Sequence, residues 1–200
     1  MVTKKNFDLL QKVFGTKKME GIMPYAFVDE YGISLRSFDG VHTLVLSENT
    51  SGSERYRASY TMILAALSQL TAFDEVVIGT DGTISMYDLV TQQEFIVPIK
   101  TQSGDYINLL ANIQKEISIS KENNEDDTRE FFIEDKAQME NIYLFIQENC
   151  YMSSNDFINL SKMLHLIMNE TTYVTRIPEK NAFIVYNRFA TYMTNNSVSI

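Results

Sequence analysis

The sequence predicts an α+β protein of two tandem modules, each with two helices packed on an antiparallel sheet. Three observations predict it. An order of helix, strands, helix and three closing strands occurs twice, offset by roughly one hundred residues. Asp-Gly pairs, Asp39-Gly40 and Asp81-Gly82, sit between β-like runs, which is hairpin turn chemistry. A chain of 200 residues, 44% hydrophobic, has enough apolar side chain for two cores of ordinary size.

The first module opens on a helix over residues 4–14. Phe7, Leu10, Val13 and Phe14 share one face, Lys5 and Lys12 lie off it, and Gly15 is placed to cap its end. Strand-like runs follow at Tyr25–Val28, Ile33–Phe38, Val41–Leu46 and Arg55–Tyr60, with Tyr31-Gly32 as a second turn. The spacing predicts a second helix over Thr61–Leu70, which turns Ile63, Ala66, Leu67 and Leu70 inward. Strands at Glu75–Gly79, Thr83–Asp88 and Glu94–Ile99 close the module.

The second module repeats the order. A helix is predicted over Asp105–Ile117, with Tyr106, Leu110, Ile113 and Ile117 on one stripe, and strands at Glu130–Ile133 and Ile142–Gln147. A further helix over Asp156–Met168 presents Phe157, Leu160, Leu164 and Ile167, and strands follow at Tyr173–Ile177, Ala182–Tyr186 and Phe189–Met193. The boundary is expected near Pro98–Gly104, giving modules 1–99 and 100–200. The second is expected to be abbreviated or divergent, because residues 119–150 leave room for fewer strands and carry an acidic loop over 119–135.

Chemistry is sparse. The single cysteine, Cys150, excludes an internal disulfide framework and a Cys-rich zinc site. His42 and His165 fall in different modules, so a spaced-histidine metal site is not expected. No Gly-rich loop opens a helix to cradle a phosphate, and Asp39 and Asp81 read as turn residues before glycine. The crowd of carboxylates from Glu122 to Asp135 lacks calcium-loop spacing. No catalytic residue, metal or cofactor is expected, and the chain is not expected to be an enzyme. Without a signal peptide or an apolar stretch of about 20 residues, it is expected in the cytoplasm, with no membrane partner.

The net charge of −9 argues against nucleic acid unless it is unevenly spread, and it is uneven. Lys4, Lys5, Lys12, Lys17 and Lys18 stand against Asp8 and Glu20 at the first helix and its flank. Lys115, Lys121, Lys162 and His165 add positive charge to the helices of the second half.

The layout resembles the DNA sliding clamps, particularly the trimeric two-domain type of tailed phages and of archaeal and eukaryotic replication. Ser37-Phe38-Asp39-Gly40-Val41-His42-Thr43-Leu44-Val45-Leu46 is similar to the family's small polar turn followed by a His-Val-Ser-Leu-Val stretch. Arg57–Leu70, then Phe73–Ile78 and Asp81–Asp88, resembles the phage clamp's second helix and its succeeding strands. The likeness covers residues 3–99 well and the layout alone beyond them. The resemblance implies a ring whose helices line a central hole, with the nine cationic residues above facing DNA. Two modules per chain in a six-module ring imply a homotrimer. Implied partners are duplex DNA bound without sequence preference, a DNA polymerase and a clamp-loader ATPase. It also implies an apolar peptide pocket beside the inter-domain linker, from Phe38, Val41, His42, Leu44, Val97, Pro98, Ile99, Tyr192 and Met193. Two rivals stand beside this: a clamp-fold adaptor or transcription coactivator that does not encircle DNA, and an unrelated α+β binding protein.

Overall fold

The structure, a computed structural model, describes residues 12–14, 17–47, 50–68, 75–79, 81–122, 127–131, 136–149, 151–167, 171–177 and 181–195. The first predicted helix is seen at residues 12–14, which are helical; residues 4–11 and Gly15 lie outside the described residues. The chain forms two compact units, Met1–Phe38 with Val45–Asn108, and Asp39–Leu44 with Leu109–Ile200.

The first unit contains α1 (Lys17–Ile22), β1 (Tyr25–Asp29), β2 (Gly32–Arg36), the second half of β3 (His42–Ser47), β4 (Thr50–Ser51), β5 (Tyr56–Ala58), α2 (Tyr60–Ser68), β6 (Glu75–Gly79), β7 (Thr83–Asp88) and β8 (Gln93–Pro98). Its strands run β5-β1-β2-β3 in one sheet and β4-β6-β7-β8 in another. β1 and β2 pair antiparallel from Tyr25 opposite Arg36 to Asp29 opposite Gly32. The turn between them places Gly32 at φ 137°, where a side chain would be strained. Gly82, at φ 95°, lies so close to Lys100 that an added Cβ would overlap its side chain. Helix α2 begins at Ser59, whose hydroxyl accepts from the Met62 N–H at 3.3 Å, an N-cap. It buries Ile63, Ala66 and Leu67, as its period predicts, while Leu70 lies outside the described residues; it also buries Tyr60, expected at the end of a strand, and Phe14 packs on Tyr60.

The second unit contains the first half of β3, α3 (Leu109–Glu122), β9 (Asp127–Phe131), α4 (Lys136–Asn149), α5 (Ser154–Ile167), β10 (Thr172–Ile177), β11 (Ala182–Tyr186) and β12 (Ala190–Asn195). Its strand order is β3-β12-β11-β10-β9, and neighbours from β9 to β12 pair antiparallel. The Asn195 N–H donates to Val41 O at 2.8 Å, tying the Asp39–Leu44 segment to β12. The core includes Ile113, Ile142, Ile146, Leu160, Leu164, Phe183 and Val185.

Two expectations are corrected. Ile142–Gln147, expected as a strand, lies within helix α4. Ile142, Phe145 and Ile146 are buried while Leu144 is exposed; a strand would set 142, 144 and 146 on one face, and a helix does not. The second module therefore runs helix, strand, two helices and three strands, where unit 1 has several strands between its helices. The helix expected from Asp105 begins instead at Leu109. The Tyr106 hydroxyl donates to the buried Asp29 carboxylate at 2.5 Å and its ring meets Phe27 edge-on, so residues 105–108 belong to the first unit rather than to α3.

Candidate functional site

The residues expected to bind a partner peptide fall in both units. In the first, Ile99 is fully buried, Val97 is half-buried and Pro98 is exposed. Phe38 is 78% exposed and lies on Tyr25 with ring centroids 6.3 Å apart. The Arg57 guanidinium covers Tyr25 at 4.8 Å. The result is a cation–aromatic stack with a solvent-facing phenyl, a docking chemistry for apolar or aromatic groups. In the second unit Leu44 and Tyr192 are fully buried, Met193 nearly so, and Val41 half-buried.

His42 is 1% exposed and sits in a buried chain of hydrogen bonds. The Tyr192 hydroxyl donates to its Nδ1 at 2.5 Å, and its Nε2–H donates to Asp156 Oδ1 at 3.2 Å. Asp156 Oδ2 accepts from the Ser153 hydroxyl at 2.6 Å, and the Asp156 N–H returns a bond to Ser153 Oγ at 3.1 Å. Ser153 thus caps the start of α5 through its hydroxyl, which also binds the Asp156 carboxylate. Burial pulls the His42 imidazole below its ordinary value, against the opposing pull of Asp156 and Asp39. The group has the makings of a proton relay, yet the imidazole has no access to solvent. It fixes β3, α5 and β12 to one another. Ser153-x-x-Asp156 was readable as a helix start; its link to His42 was not, because the two lie 114 positions apart.

Of the expected DNA-facing residues, Lys12, Lys115, Lys162 and His165 are exposed. Lys17 and Lys18 lie in α1 and Lys121 in α3, their side chains outside the described residues, as are Lys4 and Lys5 entirely. The wet face of α5 carries Lys162 and His165, three residues apart. Along α3, Lys115 and Lys121 are matched by Glu116 and Glu122, and along α5 Lys162 is matched by Asp156, so with His165 neutral neither helix carries a positive excess. Among the described residues no cluster of three or more His, Cys, Asp or Glu is arranged to hold a metal ion, and no helix is long and apolar enough to cross a membrane.

The backbone arrangement is similar to that of solved DNA polymerase sliding clamps. The DNA polymerase sliding clamp from Pseudomonas aeruginosa superposes with a TM-score of 0.57 at 10% identity, over 98% of this chain and 65% of that one. The putative DNA polymerase III beta subunit from Eubacterium rectale gives 0.56 at 10% identity, over 100% and 65%. The DNA polymerase III beta subunit from Thermotoga maritima gives 0.54 at 10%, over 98% and 62%. The chain has the DNA sliding-clamp fold.

No protein-family model matches the sequence, and no curated protein does. The clamp likeness therefore lies in backbone architecture, at an identity too low to carry side-chain roles across. This clamp-fold chain spans 62–65% of the length of these neighbours. It matches them along nearly its whole length, through the second unit as well as the first.

Proposed function

We propose that this chain is a non-catalytic DNA sliding clamp, whose copies close a ring around duplex DNA and tether a replicative polymerase as its processivity factor. The observation that carries the reading is that the sliding-clamp architecture extends over 98% of the chain. Two modules per chain and a six-module ring make the assembly a homotrimer working in the cytoplasm, opened and closed by a loader ATPase. The edges of the sheets supply a means of assembly. β8 is the last strand of its sheet, with Phe95 and Ile96 exposed on opposite faces. An open apolar edge of this kind aggregates unless another strand covers it. β9 is the terminal strand of the second unit. Pairing β8 of one copy with β9 of the next is a contact between unlike surfaces, which closes into a ring when the rotation permits.

Lys12, Lys115, Lys162 and His165 face DNA together with Lys4, Lys5, Lys17, Lys18 and Lys121. Weak contacts suffice, because linkage through the hole retains the ring while lysine–phosphate contacts permit movement without base readout. Peptides of the polymerase and loader dock on the solvent-facing Phe38 and on Pro98. The adaptor reading, in which no ring forms, is favoured by one observation: α4 stands where unit 1 has strands.

Light scattering on the eluting protein and primer extension on long single-primed templates test the proposal. The ring reading predicts a trimer mass and extension products lengthened by the protein. An Ile96→Lys variant should show a monomer mass and no lengthening. A monomeric wild-type protein that leaves product length unchanged contradicts it.

A further inference from the structure

A groove at the junction of α4 and α5 is unused by the ring reading and independent of it. It encloses about 570 Å³, within the size range of binding pockets. Gln147, Tyr151, Met152, Phe157 and Ile158 are among the residues that line it. Its apolar groups are displayed rather than buried: Tyr151 is 86% exposed, and Ile158 and the neighbouring Leu144 are each more than half exposed.

The display is rigid. The Tyr151 N–H donates to Asn181 Oδ1 at 3.1 Å, and Asn181 Nδ2 donates back to Tyr151 O at 2.7 Å. Asn181 holds a left-handed backbone, φ 47°, which asparagine tolerates better than most residues. Tyr143 meets the groove residue Phe157 edge-on, and the Ser153 hydroxyl caps the start of α5 while binding the Asp156 carboxylate. An aromatic ring on a pinned backbone gives contact area at little cost in conformational entropy.

Along the segment that joins α4 to the start of α5 the charge is of one sign. From Ala137 to Ile158 the sequence holds Glu140, Glu148 and Asp156 and no lysine or arginine. Glu140, Leu144 and Glu148 fall at i, i+4 and i+8, one exposed stripe of α4. Lys162 lies a turn beyond Ile158, so α5 changes from acidic and apolar at its start to cationic toward its end. A phosphate backbone is repelled from the acidic end; an apolar group flanked by cations is attracted there.

We propose that the α4–α5 groove is a docking site for a short cationic amphipathic segment of a partner protein, seated by an aliphatic or aromatic anchor against Tyr151 and Ile158. Glu140 and Glu148 meet its lysines or arginines.

Fluorescence anisotropy with the full chain and a labelled helical peptide of leucine and lysine, beside its leucine–glutamate counterpart, tests the site. The Leu–Lys peptide should bind and the Leu–Glu peptide should not. Tyr151→Ser and Ile158→Asp should each weaken binding about tenfold or more. Both positions are exposed, and unchanged circular dichroism confirms that the variants fold. Asn112→Ala, at an exposed position of α3, should leave binding unchanged. Equal binding of a scrambled Leu–Lys peptide would overturn the proposal, because general attraction to an acidic protein would then explain it. So would indifference to both groove substitutions. Loss of self-association in Ile158→Asp with peptide binding retained would assign the groove to a second copy and overturn it as well.

Discussion

His42 is the residue on which the second unit's tertiary order most visibly turns. Its two ring nitrogens are both engaged, by Tyr192 and Asp156, and protonation would put a second proton where Nδ1 accepts from the phenol. Burial favours the neutral ring. The unfolded chain thus takes up a proton on His42 at a pH where the folded chain does not. The stability contributed is fully present above the ordinary value of 6.5 and is lost as pH falls from there through the lower folded-state value. Thermal melts across this window should show Tm falling with acidification in the wild type, and a shallower fall in His42→Gln. Parallel profiles for the two proteins would contradict that assignment. His42 and Tyr192 were named only as positions matching the peptide pocket that the clamp resemblance implies, and their hydrogen bond to one another was not foreseen. Nor was their partner Asp156, since a hydrogen bond across 114 positions leaves no local pattern.

At the scale of elements, legibility followed how far local patterning and tertiary demand agree. β6 and β7 lie on either side of Asp81-Gly82 as alternation places them, because one wetter face fixes the phase of a strand, and β11 lies where a short apolar run, buried over its first four residues, places it. α4 is the instructive failure. Ile142-Tyr143-Leu144-Phe145-Ile146 is a run of β-formers, and a short apolar run does not separate a strand from a buried helix. The wider window does: Met139, Ile142, Tyr143 and Ile146 recur at helical spacing among Ala137, Gln138, Glu140, Gln147 and Glu148, which favour helix. Substitution tests the assignment. Ile146→Ala should cost about 2–4 kcal/mol in chemical denaturation, whereas Leu144→Ala should cost about 0.5 kcal/mol or less. Equal penalties at the two positions would indicate a strand face shared by both. Residues 105–108 went astray for a different reason: Tyr106 satisfies the helical stripe in sequence but is claimed by Asp29 in space.

For the whole molecule, the two-fold repeat carried most of what could be foreseen. The sliding-clamp architecture was legible in the order of elements, even though identity to the solved clamps is near 10%, because core periodicity survives when side chains do not. The exposed cationic positions were legible as residue types, but their faces follow from packing. If Lys12 and Lys162 contact phosphates, Lys12→Glu and Lys162→Glu should each reduce the salt dependence of DNA binding by roughly 0.9 in log–log slope while leaving the melting profile near that of wild type. Slopes identical to wild type would remove these lysines from the lining. The encircling claim is tested most directly by topology. Protein assembled on nicked circular duplex DNA should remain bound through gel filtration in high salt, and should be released when the circle is cut once by a restriction enzyme. Retention on the linearised DNA, or loss from the intact circle at the same salt, would contradict a ring held by linkage.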